Sequence, residues 1–560
     1  MSADQIYTNG TIITVAESQP EAEALAVKDG KILAIGSSQE VLKLQGPETI
    51  MVDLKGHTMV PGFVDGHSHF MNALQIVTWS NYSAPPVGPV RSIKDILAVL
   101  EEHKKRLKPA PGEWIIGYGY DGNMLEDGRE LTKDDLDPHS PDNPVLIIHV
   151  SNHGGVFNSA ALAFFGINAD TPTPPGGIIA RKPGSNEPAG LIQETAFLPI
   201  FPRIPKPGPE ELLERMQAAQ AIYASAGITT AVEGATSAPD LALLVKGAAQ
   251  GRLYLDVVSN ILVTELEEVL KEHPVETFGR YQNRLKLRGV KTFADGVPMS
   301  RTAFFTQPYL LPGPNGESPW RGEPMFPLET FQAMFDQAYR LGLPLSIHCN
   351  GDAGLDMLLA AHEKAAGDRK GDKLGTTIIH AQFARPDQLE KCAKYQINVS
   401  FYTEHTFFFA DTHLKNLGPE RTHPCSPMRT ALSLGLHCTN HTDFSVLPID
   451  QLMTMWTAVN RIARSGLEIG PQERVTPLQA LRAITIEGAH QHGEEDSKGS
   501  LEVGKLADLT ILSANPLEVE PMSIKEIQVL GTVKEGRVIY RAEQASFLPA
   551  ADSRARVASG

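Results

Sequence analysis

The sequence predicts an α/β protein built on a (β/α)8 TIM barrel, and three observations predict it. Short apolar runs bounded by turns alternate with helical stretches through the middle of the chain. Eight such runs can be counted, the number a closed barrel needs. The side chains able to bind metal or move protons stand at or near the C-terminal ends of these runs, where catalytic groups collect in barrels.

The first run (Met59, Val60, Phe63, Val64) leads into His67-Ser68-His69. Read as a strand, positions i and i+2 face the same way, so both imidazoles project to one side. Two neutral imidazoles suit a divalent cation such as zinc, although a bare His-x-His also occurs as ordinary loop histidines. Further strands are read over residues 226–234, 255–262, 285–293, 343–348, 376–380, 397–402 and 436–443. They place Lys291 on the fourth strand, His348 on the fifth, His380 on the sixth and Asp443 on the eighth. Singly, each has a plain reading: a solvated charge, two hydrogen-bonded core histidines, a helix cap. Jointly, four His, one Lys and one Asp at the ends of five strands form a pattern that chance rarely makes.

Four βα units fit between Lys291 and Asp443 at the allotment of a barrel of about 250 residues. Only three are read between His69 and Lys291, far fewer than that length of chain would hold. The excess is read as an insertion over residues 80–205, carrying Trp114–Tyr120, Val145–Val150 and the Pro/Gly-rich stretch 171–177. Loops after barrel strands lie at the catalytic face, so the insertion is expected to act as a lid. The barrel then takes residues 59–79 and 206–497. Residues 1–58 and 498–545 are rich in short strands and turns, notably Asp29-Gly30 and Glu535-Gly536. Neither end can cover its own apolar faces, so one composite β-sandwich is expected from both. Residues 546–560 are expected to be a flexible tail, and Thr476 with Pro477 to start a structural helix.

Hydrophobic residues make up 42% and charged residues 21% of the chain, with a net charge of −16. An acidic chain argues against nucleic acid or an anionic membrane as partner. Four cysteines with no paired spacing fit a reducing compartment. With no signal peptide or membrane span visible, a cytoplasmic enzyme acting on a small molecule is expected, as a monomer or homo-oligomer.

The candidate residues lie in longer motifs. These are Pro-Gly-Phe-Val-Asp-Gly-His-Ser-His (61–69), Lys-Thr-Phe-Ala-Asp-Gly (291–296), Ser-Arg-Thr-Ala (300–303) and His-Cys-Asn-Gly-Asp (348–352). His-Ala-Gln (380–382), His-Thr-Asp-Phe-Ser-Val-Leu-Pro (441–448) and Gly-Ser-Leu-Glu-Val-Gly-Lys-Leu-Ala-Asp-Leu (499–509) follow. Through them the sequence resembles, over almost its whole length, the amidohydrolase superfamily, in particular the branch that includes N-substituted formamide deformylase. The resemblance implies two divalent ions, zinc being favoured: His67 and His69 on one, His348 and His380 on the other, N-carboxylated Lys291 bridging them. It implies that Asp443 is both ligand and general base, and that a metal-bound hydroxide attacks an N-acyl or N-formyl amide and cleaves its C–N bond. A free ammonium cannot be a ligand; carboxylation makes it one.

A deaminase or an ester or lactone hydrolase on the same fold is the alternative. Deaminases of this fold often carry Glu where this chain has Gly351. A non-catalytic binding protein should have lost ligands, and all six remain. The chain departs from the branch at Cys349-Asn-Gly-Asp-Ala353 and at His441-Thr-Asp443, where many members have Gly-Ser-Asp. Cys349 reads as buried packing in preference to a soft ligand. His153 on the insertion is a candidate to reach substrate, His405 to meet the oxyanion or a substrate carbonyl, and Arg301 to pair with a substrate carboxylate or with Asp295. Each of the three also has a structural hydrogen-bond reading.

Overall fold

The computed structural model describes residues 2–85, 87–150, 154–197, 199–200, 203–314, 316–367 and 374–552. Eight parallel strands run side by side: β1 (Phe63–Val64), β2 (Ile228–Thr236), β3 (Asp256–Leu262), β4 (Leu285–Phe293), β5 (Leu345–Cys349), β6 (Thr377–His380), β7 (Asn398–Phe401) and β8 (Cys438–Asn440). Sheet order follows chain order, as in a TIM-barrel-like α/β fold. The two ends of the sheet are tied just beyond β1 and β8: Asp443 N–H donates to His67 O (3.1 Å) and His69 N–H to Phe444 O (2.6 Å). The strands are apolar runs because both their faces are covered. The helix Leu328–Leu341 shows how: it buries Phe331, Met334, Phe335, Ala338 and Tyr339, one stripe at helical spacing, and ends at Gly342 in the left-handed region.

The chain divides into two compact units, Asn72–Arg215 forming one and the flanking segments the other. Asn72–Arg215, which takes in the 80–205 segment, has its own six-stranded sheet. Along Val145–His149 the side chains alternate between two cores. Val145 and Ile147 join Ile96, Leu100 and Leu136, while Leu146 and Ile148 join Phe157, Phe197 and Ile200.

In the other unit the chain ends build two more sheets. One holds Lys31–Gly36, Ala24–Lys28, Gln5–Thr8 and Ile50–Asp53. The second mixes the termini, with Leu509–Leu512 antiparallel to Thr58–Pro61. Tyr7, Leu25 and Val52 of the first share a core with Met59, Leu509 and Val533 of the second. Both expected hairpins form, and Asp29, Gly30, Glu535 and Gly536 all have positive φ, the signature of the two-residue turn read there. The tail expectation needs correction up to residue 552. Leu548 is buried in this core and Asp552 N–H donates to Val538 O, because an apolar residue within reach of an open core packs there. No helix among the described residues is long and apolar enough to cross a membrane.

Candidate metal centre

His67 and His69 do not lie on a strand. β1 ends at Val64, and residues 65–69 form a loop held from both sides: Gly234 N–H donates to Ser68 O at 2.8 Å, besides the two bonds to the segment after β8. Backbone hydrogen bonds, and not strand alternation, therefore set the two rings. The rings stand 76° apart with centroids at 5.0 Å, yet His67 Nε2 lies 3.5 Å and His69 Nε2 3.6 Å from the same atom, Asp443 Oδ1. Asp65, fully buried, fixes the loop by accepting from the Thr442 hydroxyl (2.7 Å). Gly234 is required here. A Cβ at that position would stand 2.1 Å from His67 Cε1.

Lys291 sits two residues before the end of β4, His348 one before the end of β5, and His380 closes β6. The His348 and His380 rings are 4.7 Å apart. His348 Nδ1 is buried without a hydrogen-bond partner among the described residues, 3.8 Å from Asp295 Oδ1. Asp295 itself accepts the backbone N–H groups of Phe304, Asn350 and Gly351. The Lys291 ammonium is buried and has no hydrogen-bond or ion-pair partner among the described residues. His380 and Asp443 have φ of +79° and +49°. Non-glycine residues held there carry of order 1–3 kcal/mol of strain each, and such strain collects at functional sites.

Electrostatics sort these groups. Burial, then the Lys291 charge, pushes His67 well below the usual imidazole range and His348 down to about 3. Burial does the same to His380 and takes His441 to about 3. For His69 burial opposes the cation, but the carboxylates of Asp443 and Glu233 outweigh it and raise the group to about 9. Burial lowers Lys291 to about 8 against the pull of Asp443 and Glu233. Neutral imidazoles are the ligand form. Among the described residues two donor groups are close enough to hold an ion, His67–His69–Asp443 and His380–His441–Asp443. This nitrogen and oxygen donor set fits a divalent metal.

Three groups at the centre were missed from sequence. Glu233 ends the apolar part of β2, with Oε1 3.9 Å from His69 Nδ1 and Oε2 accepting Met71 N–H (2.7 Å). Its place at a strand end was the available signal. His441, noted only as a departure from the family, is fully buried beside His380. Asn350 Nδ2 lies 3.3 Å from His348 Nε2.

The secondary candidates are placed variously. His405 is buried, its Nδ1 3.1 Å from His413 Nε2 and its ring stacked on that of His413. Arg301 donates through Nε to Pro312 O (2.7 Å) and not to Asp295, whose oxygens are taken by backbone N–H groups. His153 lies outside the described residues. Cys349 is buried, and burial raises its thiol well above the usual range, which makes it packing.

The sequence model of the amidohydrolase family matches residues 51–540. The chain belongs to this family. It is a metal-dependent hydrolase acting on carbon–nitrogen bonds. An N-substituted formamide deformylase of Arthrobacter pascens is 27% identical over 547 residues, covering 96% of this chain and 98% of that one. The protein LONG AFTER FAR-RED 3 of Arabidopsis thaliana is 30% identical over 562 residues, covering 96% and 92%. The crystal structure of an uncharacterized metal-dependent hydrolase from Pyrococcus horikoshii OT3 superposes with a TM-score of 0.70 at 24% identity, covering 92% of this chain and 99% of that one, which shows the shared fold.

Proposed function

We propose that this amidohydrolase cleaves the C–N bond of a small N-acyl or N-formyl amide, using two divalent ions, zinc being the best fit, bridged by N-carboxylated Lys291. The observation that carries this reading is the buried Lys291 amine, which has no hydrogen-bond or ion-pair partner among the described residues and lies 5.2 Å from the centre of the Phe293 ring, although its charge is felt by His67, His348, His380 and His441. A buried unpaired ammonium is costly and its neutral form is correspondingly favoured. A neutral amine adds to carbon dioxide with loss of one proton, giving a carbamate whose oxygens are ligands. When bound, divalent ions supply Lewis acidity, acidifying water and polarising a carbonyl.

The side chains do the rest. Asp443 Oδ1, facing both His67 and His69, is placed to take one proton from the attacking water and return it to the departing nitrogen, so that amide and water become acid and amine. Glu233 at His69 Nδ1 holds that ring, as a carboxylate behind a ligating histidine does. The deformylase relative supports a formyl or small acyl group. Four buried cysteines, none in a disulfide, support a reducing, cytoplasmic setting.

Elemental analysis should find close to two divalent ions per chain. Carbon-13-labelled bicarbonate should give a carbamate resonance that Lys291→Ala lacks, and that variant should lose most activity on a panel of formamides and acyl amides. Normal metal content and turnover in Lys291→Ala would overturn the bridge. Turnover of esters without turnover of amides would overturn the substrate class.

A further inference from the structure

His441 is in neither the ligand set expected from the sequence nor the chemistry just described, although it stands in the donor group His380–His441–Asp443. Its Nε2 lies 3.1 Å from His380 Nδ1 and its Nδ1 lies 2.8 Å from Ser400 Oγ. Tyr402 stacks on the ring (5.2 Å between centroids, 23°), and His67 meets it edge-on at 5.4 Å. The residue is fully buried, so the ring has one setting.

Two imidazole nitrogens at 3.1 Å share one hydrogen. If His441 supplies it, His380 accepts at Nδ1, carries its own hydrogen on Nε2, and has no lone pair left for a metal. If His380 Nδ1–H supplies it, His441 accepts at Nε2 and its own hydrogen, on Nδ1, goes to the Ser400 oxygen. His380 Nε2 is then bare. Of these two, only the second leaves His380 a ligand at Nε2, and Ser400 is able to accept what it requires; were the two facing nitrogens both bound to one ion, His441 would itself be a ligand, which the cadmium measurement below separates.

We infer that His441 is a positioning residue: the chain His380–His441–Ser400 holds His380 in the tautomer whose Nε2 is free for a divalent ion. The inference rests on the reading that His380 binds metal. The outer partner of this ligating histidine comes from the residue that follows β8. Partners of this kind typically change metal affinity 10–100-fold when removed.

The test has two arms. In metal-free protein labelled with nitrogen-15, long-range proton–nitrogen correlation should show His380 protonated at Nδ1 and bare at Nε2. On adding cadmium-113, coupling should appear at His380 Nε2 and not at His441. In competition with a chelator, His441→Phe, which keeps the stacked ring but not its nitrogens, should hold one ion 10–100-fold more weakly. His441→Gln, whose carbonyl oxygen can accept the same hydrogen, should restore most of that affinity. Metal-free thermal midpoints of both variants show whether packing alone is disturbed. A His380 protonated at Nε2, cadmium coupling at His441, or wild-type affinity in His441→Phe would overturn the inference. Fewer than two ions on the wild type would instead fail the two-ion reading, and the tautomer measurement on metal-free protein would still stand.

Discussion

Asp443 Oδ1 serves both histidines of the β1 loop, so its two roles can be separated by one atom. Asp443→Asn keeps an oxygen for the ligand role but cannot take a proton at neutral pH. It should retain metal and lose turnover by about 10²–10⁴-fold, read by steady-state kinetics beside elemental analysis. A variant within tenfold of wild type would move the base elsewhere. Gly234 makes a different point. Gly234→Ala puts a methyl group into the His67 ring, so it should cost about 1–3 kcal/mol in denaturation and displace the ring enough to lose metal. Nothing in the local sequence distinguishes this glycine from a turn residue. Only the approach of His67, distant in the chain, gives it its role.

At the scale of elements, the eight strands were legible because doubly covered strands are continuous apolar runs with turns at their ends. Their boundaries were less so. The strand read through His69 stops at Val64, since the loop that follows takes its hydrogen bonds from β2 and from the segment after β8 instead of a neighbouring ladder. The insertion was visible as surplus chain, but its own sheet and two cores were not, because period-2 alternation between two apolar faces leaves no polar positions to read. All six ligand positions lie outside Asn72–Arg215. Replacing residues 171–190 with a short linker should therefore leave metal content unchanged. A fall in kcat/KM that grows with the bulk of the amide would assign the insertion the lid role its place in the chain predicts; loss of metal would make it a support of the barrel.

At the scale of the whole molecule, a buried ion network joins the N-terminal ends of the barrel strands to the terminal sheets. Asp256 of β3 meets Lys498 (2.6 Å), Lys534 (2.8 Å) and Arg284 (3.0 Å); Lys534 meets Asp508 (2.7 Å), and Glu494 meets Lys498 (3.0 Å) and Lys286. Burial opposes the Glu494 charge, but Lys498 and Lys286 outweigh it and hold the group down to about 2. A depressed carboxylate contributes stability that is present above its unfolded pKa, about 4.3, and is lost as the pH falls toward 2. Glu494→Gln should be about 3–5 kcal/mol less stable at pH 7, since it leaves the buried Lys286 ammonium without its carboxylate, and should lose less stability between about pH 5 and 2 than wild type. Urea denaturation across that range checks both; parallel curves would show that Glu494 does not carry the acid sensitivity.

By itself the sequence determined the barrel-like α/β sheet, the places of Lys291, His348 and His380 at or near strand ends, and the mixing of both termini, because periodicity and turn chemistry are local and survive in one dimension; Asp443, read at the end of the eighth strand, lies three residues beyond it. Tertiary structure alone decided which atoms meet. Glu233 beside His69, and His441 between His380 and Ser400, each join residues far apart in the chain. A side chain at a strand end becomes a ligand, a base or a support only through the partner that neighbouring strands bring to it.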